Sequence, residues 1–157
     1  MRNKVILSSA LLLVTLFVFA SLLQNKTTKK PIDTEVAGEG IQFIEGDWTK
    51  ALAAAKSEKK LIFLDAYASW CGPCKMLKRK TFPNKAAGEF FNKNFINVAI
   101  DMEKGDGPAL AEKYRVSAYP TLIVTDADGN IITYTQGYID PKQLIDFGQH
   151  GLSQNKK

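Results

Sequence analysis

Cysteine and histidine are the scarce residues of this 157-residue chain, which holds two cysteines, Cys71 and Cys74, and one histidine, His150. A structural zinc site needs four ligands, and two thiols do not supply them. The histidine is far down the chain from both cysteines, so no Cys–His catalytic pair is indicated. As a purely structural crosslink the pair closes too short a loop to constrain much of the chain. No internal repeat is present. The formal net charge is +5, from 21 basic and 16 acidic residues. The basic residues are scattered and five of them flank an N-terminal apolar segment, so they read as solvated surface and not as a nucleic-acid footprint. Hydrophobic content of 45% and charge of 24% are ordinary for a globular domain. The length fits one domain of roughly 110 to 120 residues with an appendage.

The appendage is residues 1–23. Arg2 and Lys4 precede an apolar stretch, Val5 to Leu23, interrupted only by Ser8, Ser9, Thr15 and Ser21. At about 1.5 Å per residue it matches the hydrocarbon core of a bilayer. It is either a signal peptide, with Val18-Phe19-Ala20 as an imperfect small-residue cleavage pattern, or an uncleaved membrane anchor. Lys26, Lys29 and Lys30 on its far side nearly balance Arg2 and Lys4, so charge alone does not orient it. Residues 24–40 are polar, carry Pro31, Gly38 and Gly40, and read as a linker. The domain is then expected over 41–152, with a disordered tail at 153–157.

Within the domain one stretch carries the chemistry: LIFLDAYASWCGPCKMLKRKT, Leu61 to Thr81. The apolar run Leu61 to Ala68 suits a central strand covered on both faces. Cys71 then falls where a helix begins, and the unpaired N–H groups and dipole there favour thiolate over thiol. Cys71 is therefore expected to be the more acidic and nucleophilic thiol, with Cys74 the shielded one. Gly72 permits the close turn and Pro73 suits a first helical turn. Cys74, three residues on, shares a helix face with Cys71 and can close a small disulfide ring with it. The following Lys75, Lys78, Arg79 and Lys80 read as a solvated face, with attraction of an acidic partner as the minority reading.

Elsewhere the pattern predicts a strand at Ile41 to Ile44, a helix capped by Asp47 and running to Ser57, and a helix capped by Asn84 after the break at Pro83. A strand over Phe95 to Ile100 and a short helix from Asp106-Pro108 to Tyr114 follow. Thr121 to Thr125 and Ile131 to Gln136 form a hairpin around DADGN. Asp140-Pro141 opens a last helix to about Phe147. The order is β-α-β-α-β-α-β-β-α, an α/β sandwich with a mixed sheet.

Trp70-Cys71-Gly72-Pro73-Cys74-Lys75, with Asp65 six residues before Cys71, Tyr119-Pro120-Thr121 downstream and Gly137 near the end, resembles the thioredoxin family over roughly Gly40 to Leu152. It is most similar to the extracytoplasmic, membrane-linked members, such as the catalytic domain of transmembrane disulfide-reducing interchange proteins. The resemblance implies a three-layer sandwich with a central mixed β-sheet flanked by helices. It implies a redox disulfide between Cys71 and Cys74. It also implies a cis Pro120 packed on the dithiol and shielding it from metals, and substrate contacts from Trp70, Gly72, Pro73, Tyr119 and Pro120. Asp65 is out of place in an apolar strand, since a buried carboxylate is costly unless paired or neutral. One reading bonds it to nearby backbone; the other, which the resemblance favours, makes it a proton acceptor for Cys74 with its pKa raised by burial. Two departures stand out. Asn97 replaces the lysine that thioredoxins often place near this aspartate, and Tyr119 replaces an aliphatic residue. Tyr67, Trp70 and Tyr119 are candidates for an aromatic rim, with core packing the alternative for Tyr67.

The expected activity is thiol–disulfide exchange without cofactor or metal, reducing disulfides in exported proteins from a periplasmic or otherwise extracytoplasmic position, secreted or tethered by the N-terminal segment. Protein disulfides and a membrane or soluble dithiol donor are the expected partners, nucleic acid is not, and the chain is expected to be a monomer. Disulfide oxidase or isomerase activity, and a non-catalytic binding module, remain alternatives.

Overall fold

The computed structural model describes residues 40–155. The apolar segment at 1–23 and the linker up to residue 39 lie outside the described residues, and among the described residues no helix is long and apolar enough to cross a membrane. Five strands form one mixed sheet: β1 (Ile44–Glu45), β2 (Leu61–Tyr67), β3 (Phe95–Asp101), β4 (Thr121–Thr125) and β5 (Ile131–Gln136), in the order β1-β3-β2-β4-β5. β1 and β2 run parallel to β3, whereas β4 is antiparallel to both β2 and β5.

β2 is central, and Leu61 to Ala66 are all buried. Its alternate residues divide the core. Ile62, Leu64 and Ala66 meet Trp48, Ala51 and Ala55 of α1 (Trp48–Glu58) and Leu110 and Tyr114 of α4 (Gly107–Tyr114). Leu61 and Phe63 meet the other layer, which is built from α2 (Gly72–Met76) with its π-helical continuation Leu77–Thr81, α3 (Lys85–Asn94) and α5 (Pro141–Gln154). Helices thus cover both sheet faces, the three-layer sandwich the resemblance implies, and β2 reads as an unbroken apolar run because neither face is wet.

The expected caps are present. Asp47 accepts from the Lys50 N–H at 2.8 Å, Asn84 from Ala87 N–H at 3.1 Å, and Asp140 forms a reciprocal capping box with Gln143.

Two elements differ from the sequence expectation. The first strand is Ile44–Glu45 instead of Ile41–Ile44. Upstream of it the Ile41 N–H bonds to the Phe82 carbonyl and the Gln42 N–H to Asn92 Oδ1, so these backbone groups serve the helical layer. Two helical segments separate β2 and β3, as the helix starts at Cys71 and Asn84 predict, where the element order above counts one. The last helix runs to Gln154, so Ser153 and Gln154 of the expected tail are helical. Leu144, Gly148 and Gly151 form its buried stripe, and a Cβ on Gly148 would lie 2.7 Å from the Phe90 ring. Small residues here bring the helix against α3 at Gly148 and against Val124 of β4 at Gly151, where a sequence reading takes glycine for a break.

Candidate active site

The dithiol sits on the turn between β2 and α2. Cys71 is the N-cap of α2: its Sγ accepts the Cys74 N–H at 3.1 Å, and its own N–H bonds to the Ala68 carbonyl at 3.1 Å. Cys71 and Cys74 are joined by a disulfide, with their Cα atoms 5.4 Å apart. Both residues are only 2% exposed, so Cys74 is shielded as expected but no more so than Cys71 in the oxidised form. What separates them is electrostatic. Only Cys71 Sγ receives a backbone N–H at a helix start, which favours its thiolate on reduction.

Three aromatic residues surround the pair. Tyr67 and Tyr119 pack against the buried cluster of Ala68, Cys71 and Cys74. Trp70 is 65% exposed and meets Tyr119 edge-on, ring centroids 5.9 Å apart. Tyr67 is the packed member: half-buried beside the cysteines, with Lys78 Nζ 3.7 Å from its ring centroid. The open aromatic surface is therefore Trp70, in contact with Tyr119, which is half-buried like Tyr67. Gly72 and Pro73, between the cysteines, are exposed. The Tyr119–Pro120 peptide is cis, and the Pro120 carbonyl accepts the Gly137 N–H at 2.8 Å, which ties the proline loop to the end of β5.

Asp65 lies in β2 between Ala99 of β3 and Leu122 of β4. It is 1% exposed, and neither carboxylate oxygen has a hydrogen-bond partner. The backbone-bonded reading of this residue therefore does not hold. Burial pushes its pKa up to about 7; the Lys78 charge pulls the other way and Glu45 adds to the rise. Asn97, the residue in place of the expected lysine, stands opposite Phe63, one step along the same face from Ala99, and donates to the Gln42 carbonyl at 3.2 Å and Asn92 Oδ1 at 3.1 Å. It ties down the segment before β1 and supplies no charge.

A family profile described as thioredoxin-like domain matches residues 48–151. A thioredoxin of Echinococcus granulosus is 43% identical over 84 residues, covering 54% of this chain and 70% of its own length. The thiol:disulfide interchange protein DsbD of Yersinia pestis is 29% identical over 94 residues, which cover 58% of this chain and 16% of that protein. Among solved structures, a candidate disulphide-isomerase from Bacteroides thetaiotaomicron is 38% identical, with a TM-score of 0.65 over 73% of this chain and 95% of that one. The chain belongs to the thioredoxin-like family.

Within this thioredoxin-like domain, sequence reasoning located Asp65, Trp70, the Cys71–Cys74 turn, Tyr119 and Pro120. It missed three charged neighbours. Lys78 is exposed, as a solvated face requires, and its ammonium also lies over the Tyr67 ring; its place four residues beyond Cys74 was the available signal. Glu45, in an edge strand, and Glu103, in the turn after β3, carry no sequence signal of their own. The Trp70 indole donates to both Glu103 oxygens, at 3.0 and 2.9 Å.

Proposed function

We propose that the protein reduces disulfides in exported proteins by thiol–disulfide exchange at Cys71 and Cys74. The observation that carries this reading is the Cys71 sulfur at the start of α2, receiving the Cys74 N–H and closed in a disulfide with Cys74. In the reduced form Cys71 thiolate attacks one sulfur of a partner's disulfide; a Cys71–partner bond forms and the partner's second sulfur leaves as thiolate. Asp65 takes the proton from Cys74, whose thiolate attacks Cys71. The Cys71–Cys74 bond forms, the mixed disulfide breaks, and the partner leaves carrying two electrons, its thiolates taking protons from water. Trp70, Gly72, Pro73, Tyr119 and Pro120 form the surface on which an extended partner segment rests. The oxidised form is recycled by a dithiol donor, membrane-bound or soluble. The exchange runs on protein sulfurs alone, with the chain as a monomer.

The apolar segment Val5 to Leu23 behind Arg2 and Lys4 supports an extracytoplasmic setting, secreted or anchored. The 38% identity to the candidate disulphide-isomerase favours isomerisation as the second reading.

The test is trapping with Cys74→Ala, which freezes the exchange at the Cys71–partner stage. Mixed disulfides with exported proteins, and loss of insulin-disulfide reduction in Cys71→Ser, are the expected results. Turnover that persists in Cys71→Ser would remove the catalytic reading. Recovery of activity from scrambled ribonuclease, with no net reduction of insulin, would select the isomerase.

A further inference from the structure

The two edges of the sheet are not alike. β1 is two residues long and ends on Glu45, so it offers little to pair with. β5 is six residues long, IITYTQ, and carries neither charge nor proline. Natural edge strands are commonly blunted by charge, proline or shortness, because their outer N–H and C=O groups invite another chain. β5 has one such device, the irregularity opposite Val124 and Thr125 at its start. Beyond it, the outer side of β5 is unpaired among the described residues. Two of the four exposed large hydrophobic residues also lie on this strand, Ile131 and, at 61% exposure, Tyr134.

Ile131, Tyr134 and Gln136 stand opposite Thr125, Ile123 and Thr121, alternate residues of β4, so they share one sheet face. Ile123 belongs to the core cluster under α1 and α4. α4 ends at Tyr114, whose hydroxyl donates to the Gly129 carbonyl at 3.0 Å. Beside it a cavity of about 310 Å³ is lined by Arg115, Ser117, Thr121, Ile123, Ile131 and Tyr134 among others. Trp70, Cys71, Cys74 and Tyr119 do not line it.

Arg115 caps α4 in the left-handed region, φ 52°, and is the one charged residue of the cavity lining. It is exposed and makes no ion pair among the described residues. The acids of the adjoining turn are engaged elsewhere. Asp126 accepts the Asp128 and Asn130 N–H groups, and Asp128 pairs with Lys56 at 3.0 Å. The charge that matches Arg115 is therefore a carboxylate supplied by the occupant. A second copy pairing through β5 supplies none, because IITYTQ is uncharged, and would leave both arginines unmatched.

We propose that β5 and this cavity are a docking site for an extended, acidic segment of a partner protein. The segment adds to the sheet beside β5, its backbone meeting the outer N–H and C=O groups. Every second side chain falls on the face of Ile131 and Tyr134, where apolar ones fill the cavity and a carboxylate pairs with Arg115. The loop from Ser117 to Thr121 joins this site to the dithiol: both end residues line the cavity, and Tyr119 between them packs on the cysteines. A partner held at β5 lies next to the loop that meets the exchanging sulfurs. Binding at β5 uses neither sulfur, so it stands or falls apart from the exchange reaction.

The test uses two capped hexapeptides without cysteine, Thr-Val-Thr-Glu-Thr-Val and Thr-Val-Thr-Lys-Thr-Val. Each is added to the oxidised full-length chain and followed by nitrogen-15 NMR and amide hydrogen exchange. The glutamate peptide is expected to shift the β5 amides and the Arg115 Nε–H saturably. It is expected to slow exchange at alternate β5 amides, the mark of an added strand. Arg115→Gln is expected to weaken its binding about fivefold, the size of one exposed ion pair, and the lysine peptide to bind wild type at least about fivefold more weakly. Tyr134→Glu, which sets a like charge in the cavity, is expected to abolish saturation. Both exchanged side chains are exposed, and a thermal unfolding curve checks that each variant is folded. Equal affinity for the two peptides, or equal affinity of wild type and Arg115→Gln for the glutamate peptide, overturns the proposal. Shifts confined to residues away from β5 and Arg115, or no shifts at all, overturn it too. A chain that sediments as a dimer with its β5 amides already protected overturns it in favour of a second copy.

Discussion

Trp70 and Glu103, 33 residues apart in the chain, are held together by the indole N–H donating to both carboxylate oxygens. This contact fixes the largest exposed ring at the dithiol mouth, and Tyr119 supports its other side edge-on. An exposed charged hydrogen bond is worth about 1 kcal/mol, close to a fivefold effect. Glu103→Ala is therefore expected to raise KM for a protein disulfide by roughly fivefold while leaving kcat with a small aromatic disulfide near wild type. The Trp70 indole nitrogen should show faster motion in NMR relaxation. Unchanged KM together with an equally rigid indole would show that the ring is held by Tyr119 alone.

A second prediction concerns the packing of α3 on the segment before β1. Gly88 of α3 packs directly on the backbone of Gly40, where an added Cβ would lie 2.5 Å from the carbonyl carbon and oxygen. Gly40 has φ +138°, a conformation that favours glycine, and itself abuts Phe82 and Pro83, so it cannot move aside cheaply. Gly88→Ala is expected to cost about 1 to 3 kcal/mol in chemical denaturation. Gly72→Ala meets nothing within 4 Å and is expected to be neutral in the same measurement. Equal midpoints for wild type and Gly88→Ala would contradict the close packing of α3 on the segment before β1.

The parts legible in the sequence were those written in local chemistry. Apolar runs gave β2, β3 and β4; Asp47, Asn84 and Asp140 marked helix starts through their side-chain acceptors; the dithiol turn was visible in Cys71-Gly72-Pro73-Cys74. What escaped depends on distant partners. The two-residue β1 exists only because Ile44 and Glu45 pair with Val98 and Ala99. The last turns of α5 rest on Gly148 and Gly151, which lack the apolar side chains that mark a buried stripe. Asp65 was identifiable as a misplaced carboxylate, but its charged company was not. The charges that act on it come from a π-helical turn, at Lys78, and from an edge strand, at Glu45, and neither placement leaves a periodic trace.

The buried carboxyl makes a last prediction, for stability against pH. Burial pushes the Asp65 carboxyl up to about 7 in the fold, against 3.8 for a solvated aspartate such as the unfolded chain presents. Between those values the folded state holds a proton that the unfolded state has released. Its contribution is fully present below about pH 4, is lost as pH rises through the folded value, and is gone above it. That difference corresponds to about 4 kcal/mol of destabilisation at pH 8. Asp65→Asn stays neutral throughout. Its amide donors, lacking partners, take back about 1 to 3 kcal/mol of that difference. The oxidised variant is therefore expected to outlast wild type in denaturant at pH 8, with its relative advantage shrinking steadily toward pH 4. The same variant is expected to resolve mixed disulfides more slowly at pH 7, on the order of 100-fold, because the proton acceptor is gone. Greater stability with poorer turnover in one variant is the signature of a carboxylate kept for its chemistry at the expense of the fold. A stability difference that does not vary with pH would show that Asp65 carries the same charge in the folded and unfolded chain, and that the fold does not raise its proton affinity.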